Sequence, residues 1–330
     1  SPIDTTIAPG CTAVWSFERT EGGVPSSPVL SPDGTIGIAS SDTFRRVSIS
    51  GQELCVSNVE NTYMGNPSLN KAGTYFLGTT QGELIAITKN CDTKWRTDVT
   101  TKHAKAIRQA PALDGDPTIY VADEHPALHR LTDLGSSGVT DWSYLIFDDP
   151  LPNASPAYSG GEDPFVVLAS KHMITAVDAA GSKRWSYTAP ESDEKTWEVT
   201  SSLAMGSDGD IIAAIGKLEG ASHTNNQIIR ILPDPTPAGE AIVAEGWPRP
   251  LELGLDTVNA LVLGADNSIF LATTAHGIVR LDNEGNELWR YVGEDQSLRI
   301  QSVPTLGDDQ SVYFMAEPHY FYSVSSSGSR

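Results

Sequence analysis

The residues best placed by type and spacing to do chemistry form a basic run in an acidic chain. Arg96, Lys102, His103, Lys105 and Arg108 accompany a single acid, Asp98. The stretch carries +3 with histidine neutral, against a formal charge of −20 for the 330 residues. A cationic spot on an acidic protein draws carboxylate, sulfate or uronate groups, and arginine offers such anions paired hydrogen bonds. A solvated loop accounts for the same charges without a ligand. Arg45, Arg46, His129 and Arg130 fall on neighbouring repeat units and would add to the spot wherever strand alternation turns them inward. Five of the seven histidines, His125, His172, His223, His276 and His319, fall in or near strand-to-strand turns. His172, His276 and His319 each precede an apolar residue by two positions, which puts them on one face. Zinc needs its ligands at about 2.0–2.1 Å from one ion, and equivalent turns on separate units stand too far apart for that, so no metal site is expected. Asp33, Asp114, Asp116, Asp208, Asp210, Asp308 and Asp309 could ligate calcium, but the EF-hand spacing is missing and they read as hairpin-turn residues.

Nucleophile elbows, phosphate-cradling glycine loops and zinc-protease motifs are absent from the sequence. A lyase acting on an acidic polysaccharide needs only a charge neutraliser and a base, roles open to His103, Arg108, His125 or Tyr63. The candidate ligand-binding set is therefore Lys102, His103, Lys105, Arg108, His125 and Tyr63, with no catalytic residue assigned.

The acid excess opposes binding to phosphate backbones, which relies on Lys and Arg displacing counterions, so nucleic acid is not an expected partner. The longest apolar runs, such as Ile211 to Ile215, fall far short of the roughly 20 residues of a membrane helix. Cys11, Cys55 and Cys91 show no C-x-x-C pair. A bridge would have to use Cys55, because Cys11 and Cys91 lie a unit apart; three free thiols are the expectation.

These side chains must be positioned by a repeat. Val14-Trp15-Ser16-Phe17, Lys94-Trp95-Arg96, Asp141-Trp142-Ser143-Tyr144, Arg184-Trp185-Ser186-Tyr187 and Leu288-Trp289-Arg290-Tyr291 are copies of one motif. Between copies, apolar segments of β-propensity flank turn clusters such as Pro32-Asp33-Gly34, Asp208-Gly209 and Asp266-Asn267. The last strand of each unit falls at Trp15, Cys55, Trp95, Trp142, Trp185, near Trp247, and at Trp289. That counts seven units of four strands with a longer fifth, the period of a propeller blade. The final unit supplies three strands, near 301–307, 311–317 and 320–326, and Thr12 to Glu18 carries the missing fourth. Joining them closes the ring and removes the open edges.

This pattern resembles the PQQ-like (quinoprotein-type, BamB-like) β-propeller repeat family. The resemblance rests on Asp282-Asn283-Glu284-Gly285-Asn286-Glu287-Leu288-Trp289 and Asp178-Ala179-Ala180-Gly181-Ser182-Lys183-Arg184-Trp185 and covers nearly the whole chain. It implies an all-β propeller; members are typically eight-bladed, whereas the unit count here gives a seven-bladed β-propeller over 11–330, closed by its N-terminal strand and preceded by a lead over 1–10. Members of the family use PQQ with calcium, but no motif here supports either, and no cofactor is expected. A propeller hosts many activities, so function follows from its loops. Connections between units and second-to-third turns are long and varied and share one face, where a rigid scaffold displays binding groups. The expectation is a non-enzymatic, monomeric, extracytoplasmic (periplasmic, secreted or surface) scaffold binding a protein or acidic glycan there. The alternative is an enzyme on the same scaffold, an acidic-polysaccharide lyase or a quinone-dependent oxidoreductase.

Overall fold

The computed structural model describes residues 29–39, 43–48, 50–58, 65–99, 106–124, 127–145, 155–192, 195–219, 222–234, 236, 239–253, 256–293, 299–300, 303–307, 310–316 and 320–328. Every regular element among them is a strand. The first sheet is a meander of β1 (Val29–Leu30), β2 (Ile36–Ala39), β3 (Thr43–Val47) and β4 (Glu53–Asn58). The second repeats it with β5 (Ser68–Leu69), β6 (Tyr75–Gly78), β7 (Glu83–Ile87) and β8 (Thr93–Asp98). The third holds β9 (Ala112–Leu113), β10 (Thr118–Ala122), β11 (Ala127–Asp133) and β12 (Gly138–Leu145). The fourth holds β13 (Ala157–Tyr158), β14 (Phe165–Ala169), β15 (Met173–Asp178) and β16 (Lys183–Thr188).

The fifth sheet departs from the pattern. It contains β17 (Glu191–Ser192), β18 (Lys195–Val199), β19 (Ala204–Met205), β20 (Ile211–Glu219), β21 (Ser222–Ile231) and β22 (Arg249–Pro250). Both β18 and β19 pair with β20, so they act as one interrupted first strand, and the β20–β21 hairpin runs on past the sheet body. The sixth sheet returns to the meander with β23 (Val258–Leu263), β24 (Ile269–Thr273), β25 (Ile278–Leu281) and β26 (Glu287–Tyr291). The last described sheet has three strands, β27 (Thr305–Leu306), β28 (Val312–Ala316) and β29 (Tyr320–Val324). The expected closing strand, Thr12 to Glu18, lies outside the described residues.

Burial explains the sequence pattern. Second strands such as Thr118-Ile119-Tyr120-Val121-Ala122 and Phe165-Val166-Val167-Leu168-Ala169 are buried at every position, because sheets pack on both of their faces. They read as continuous apolar runs for that reason. The outer β12 alternates between inward and outward residues, as an edge strand with one wet face should. Each seam between successive sheets is filled by its own cluster. Phe44 and Tyr75 join sheets one and two, Phe76 and Trp95 face Ile119, and Tyr120 lies against Val166. Trp185 lies with Ile211, Ile228 with Leu271, and Phe270 with Phe314.

Latches on the short-turn face reinforce these seams. Trp95 Nε1 donates to Asp133 Oδ1 at 2.9 Å, Trp142 Nε1 to Ala179 O at 3.0 Å, Trp185 Nε1 to Pro233 O at 3.1 Å and Trp289 Nε1 to Ser326 O at 2.9 Å. Each of these four strands thus grips the third-to-fourth turn of the next sheet. A second latch uses arginine on the third strand. Arg280 pairs with Asp266 at 2.9 Å in its own sheet and donates to Ser326 O at 2.6 Å in the next. Arg46, between Asp33 and Lys89 O, and Arg230, between Asp210 and Asn283 O, do the same.

Several third-to-fourth turns share one form. Gly51, Gly181, Gly285 and Gly328 have φ of 82°, 87°, 84° and 83°, and each N–H bonds the carbonyl three residues earlier. Cys91 occupies the same place with φ 65°, its N–H on Thr88 O at 2.9 Å. Cys55 pairs with Arg46 as Trp289 pairs with Arg280, each just before a bulge. Three free thiols are therefore not what is found: Cys55 and Cys91 form a disulfide. The cysteine at a tryptophan position and the cysteine at a glycine position are two halves of one covalent latch between sheets one and two. The spacing of the cysteines in the sequence dictates no bridge geometry; the packing of one sheet's tryptophan position on the next sheet's turn supplies it.

Candidate functional site

The opposite face carries the second-to-third turns and the connections between sheets. There Glu198, on β18, receives Lys171 Nζ at 2.7 Å and His223 Nε2 at 3.2 Å, with His172 Nε2 at 3.9 Å. His223 Nδ1 lies 3.3 Å from Thr257 Oγ1. Thr257 N donates to Asp256 Oδ1 at 2.7 Å, and Thr274 Oγ1 bonds the same oxygen. Asp256 Oδ2 accepts His276 N at 2.8 Å and holds His276 Nδ1 at 2.7 Å. A continuous polar chain thus crosses sheets four, five and six. Burial pushes the Asp256 carboxyl up, but hydrogen bonds from Thr274, His276 and Thr257 outweigh it and hold the pKa below its ordinary value. For Glu198, bonds from Lys171 and His223 likewise override burial. Both are fixed anions that orient imidazoles.

A separate buried pair sits on sheet three, where His129 Nε2 is 3.2 Å from Asp123 and Nδ1 is 2.7 Å from Ser143 Oγ. His129 and His223 each set one ring nitrogen against a carboxylate and the other against a hydroxyl, and the His129–Asp123 pair is buried. His276 keeps Nε2 uncommitted among the described residues. Among those residues no group of three or more His, Cys, Asp or Glu is arranged to hold a metal ion.

Beside this chain, the extended β20–β21 hairpin borders an open cavity of about 570 Å³. It is lined by Trp197, Lys217, Asn225, Asn226, Gln227, Pro250, Leu251 and Glu252. Trp197 and Lys217 are cross-strand partners. Unlike the four latching tryptophans, Trp197 donates its indole N–H to no acceptor among the described residues.

Of the candidate residues read from the sequence, Lys102, His103, Lys105, His125 and Tyr63 lie outside the described residues. Arg108 is half-exposed and ion-paired to Glu124. Arg96 pairs with Glu83 at 2.6 Å, Arg45 with Glu53 at 2.5 Å and Arg130 with Asp141 at 2.6 Å, while Arg46 works at the other face. His172 and His276 stand just ahead of β15 and β25, in the shared register expected of them.

The profile of a family described as outer membrane protein assembly factor BamB matches residues 40–227. The chain belongs to that family. The BamB-type resemblance carried by the Trp motifs is thus confirmed over more than half of the chain. Solved structures agree on the fold: an all-β propeller of four-stranded antiparallel sheets. BamB from Moraxella catarrhalis aligns with TM-score 0.56 and 15% identity over 92% of this chain and 94% of that one. The Dos1 propeller aligns with TM-score 0.64 and 10% identity over 91% and 80%. No curated protein matches the chain. For this BamB-family chain, sequence reasoning missed Glu198, Asp256 and the amides Asn225 to Gln227. The available signal was the longer fifth unit, together with three consecutive amides inside an otherwise β-branched strand.

Proposed function

We propose that this BamB-family protein is a non-enzymatic, extracytoplasmic, monomeric scaffold, a seven-bladed ring closed by its N-terminal strand, that docks a protein partner on its loop-rich face. The observation that carries this is the fifth sheet, whose hairpin projects on that face beside the half-buried Trp197. A binding surface needs a partly exposed aromatic on a rigid mount, whereas an enzyme needs acid–base groups that open onto a cleft. Here His129 and its partner Asp123 are both buried. The family name, which refers to assembly of outer membrane proteins, favours a protein partner. The Cys55–Cys91 bridge fits an oxidising compartment outside the cytoplasm. The basic connection with Lys102, His103, Lys105 and Arg108, flanked by Tyr63 and His125, is read as the part of this face that attracts an anionic partner or acidic glycan.

The test is site-specific photo-crosslinking in the source cell. A photoreactive residue at exposed Thr196 should give a defined protein adduct, and one at exposed Asp208 on the short-turn face should not. Identical adducts from both positions, or none from Thr196, would overturn the reading.

A further inference from the structure

We infer that the cavity on the fifth sheet, which shares Trp197 with the proposed docking surface and lies apart from the basic connection, is a binding site for a neutral saccharide. It starts with a local irregularity. Ile215 pairs with Gln227 and Lys217 pairs with Thr224, so the single residue Gly216 faces two, Asn225 and Asn226. Asn225 adopts φ 50°, a left-handed conformation that asparagine tolerates better than most residues. An unbroken strand sends consecutive side chains to opposite faces, and a bulge of this kind re-aims one of them. The result is that Asn225, Asn226 and Gln227, three consecutive amides, all border one cavity.

Asn226 adds a second, independent sign. It is 1% exposed, and its Nδ2 donates to Asp256 O at 2.6 Å. That bond fixes the amide's orientation and leaves Oδ1 as the buried atom with no partner among the described residues. A buried acceptor without a donor is destabilising. The oxygen is closed to solvent beside Gly216, so a ligand hydroxyl satisfies it only when the bulge yields. Gly216 permits the close approach, since a Cβ there would stand 3.0 Å from this oxygen and 2.9 Å from His223 Cβ.

The remaining lining selects the ligand class. Trp197 contributes an aromatic ring whose N–H has no acceptor among the described residues, and Pro250 and Leu251 extend the apolar wall. Each amide carries donors and an acceptor, which matches adjacent hydroxyls that are themselves both. Lys217 and Glu252 bring one charge of each sign, so the site has no net attraction for an anion. A cavity of about 570 Å³ falls inside the roughly 300–1,000 Å³ typical of small-ligand sites. An aromatic face, a set of dual-role amides and charge balance together describe a pyranose ring better than a peptide, whose own amides come largely paired.

The experiment uses the full-length oxidised chain with cellotriose, maltotriose and chitotriose as neutral probes and trigalacturonate as the charged one, read by ligand-observed NMR and calorimetry. At least one neutral probe should bind, with an affinity unchanged between low and high salt. Asn225→Gly keeps the left-handed backbone while removing the amide, and it should weaken binding about tenfold or more. Trp197→Ala should do the same; Glu252→Gln, at an exposed position, guards against a folding artefact in either and should weaken binding measurably. No binding of any neutral probe overturns the inference. So does neutral binding that the three variants leave unchanged, or salt-sensitive binding of trigalacturonate alone. The docking proposal is judged separately by the Thr196 adduct: an adduct without saccharide binding leaves the scaffold standing and removes the saccharide site.

Discussion

Replacing Cys55 and Cys91 together tests the reading of the covalent latch. The bridge spans a sequence separation of 36, for which the loop-closure entropy removed from the unfolded chain is worth about 4 kcal/mol. Cys55→Ala with Cys91→Gly removes the bond while giving the turn a residue suited to its positive φ, so the loss measured is that of the latch and not of backbone strain. At roughly 2 °C per kcal/mol for a domain of this size, the melting temperature should fall by about 8 °C. Restoring the arrangement found at the other seams, Cys55→Trp with Cys91→Gly, should recover part of it. The indole would regain apolar contact and a donor for the turn, a combination worth about 2 kcal/mol. The assay is thermal and urea denaturation of the three proteins, with thiol titration of the native protein under denaturing, non-reducing conditions. One thiol, Cys11, should titrate out of the three cysteines. Three titrating thiols, or an Ala/Gly variant as stable as the native protein, would refute the reasoning.

Four further outcomes are expected. Trp185→Phe keeps the ring in a fully buried site but loses the bond to Pro233 O, and should cost about 1 kcal/mol in urea unfolding, against about 3–5 kcal/mol for Trp185→Ala. Asp256 and Glu198 have pKa values held below their ordinary 3.8 and 4.5. The stability they contribute is complete above those values and is lost as pH falls through the lowered ones, so melting temperature should drop on the acid side and Asp256→Asn should flatten that drop. Deleting residues 1–18 should expose the edge of β29 and lower stability or induce self-association, visible by light scattering; a stable monomer would count against closure by the N-terminal strand. Lys105→Ala with Arg108→Ala should weaken binding to an acidic glycan at low salt only, with thermal stability nearly unchanged, since exposed pairs contribute less than about 1 kcal/mol.

The fold was largely legible because its signals are large and periodic. A tryptophan that must reach the next sheet's turn recurs on four of the fourth strands, and a second strand packed on both sides must be apolar throughout. The covalent latch was legible only through the repeat, by asking what Cys55 and Cys91 each replace. The polar chain was harder to see. Glu198 meets His223 and Asp256 meets His276 across strands whose separation in sequence has no periodic signature. Arg46 looked available to a ligand because a sequence shows its charge but not Asp33 beside it. The three amides carry no signal of a shared site in the sequence, since strand alternation alone sends neighbours to opposite faces; the bulge at the left-handed Asn225 reverses that.

The latches have a consequence for how such a ring can grow or shrink by whole units. A unit of the ordinary kind carries both complements: a tryptophan that reaches forward and a glycine turn that is reached from behind. A copy of the fourth unit inserted beside its parent would grip its neighbour and be gripped without any further mutation. The first two units lack this interchangeability. A duplicate of the first would present a second Cys55 to a turn that has no mate for it, and a duplicate of the second would leave one Cys91 facing a tryptophan. That junction can therefore be copied only as an indivisible pair, and it gives an otherwise self-similar ring a fixed point of reference.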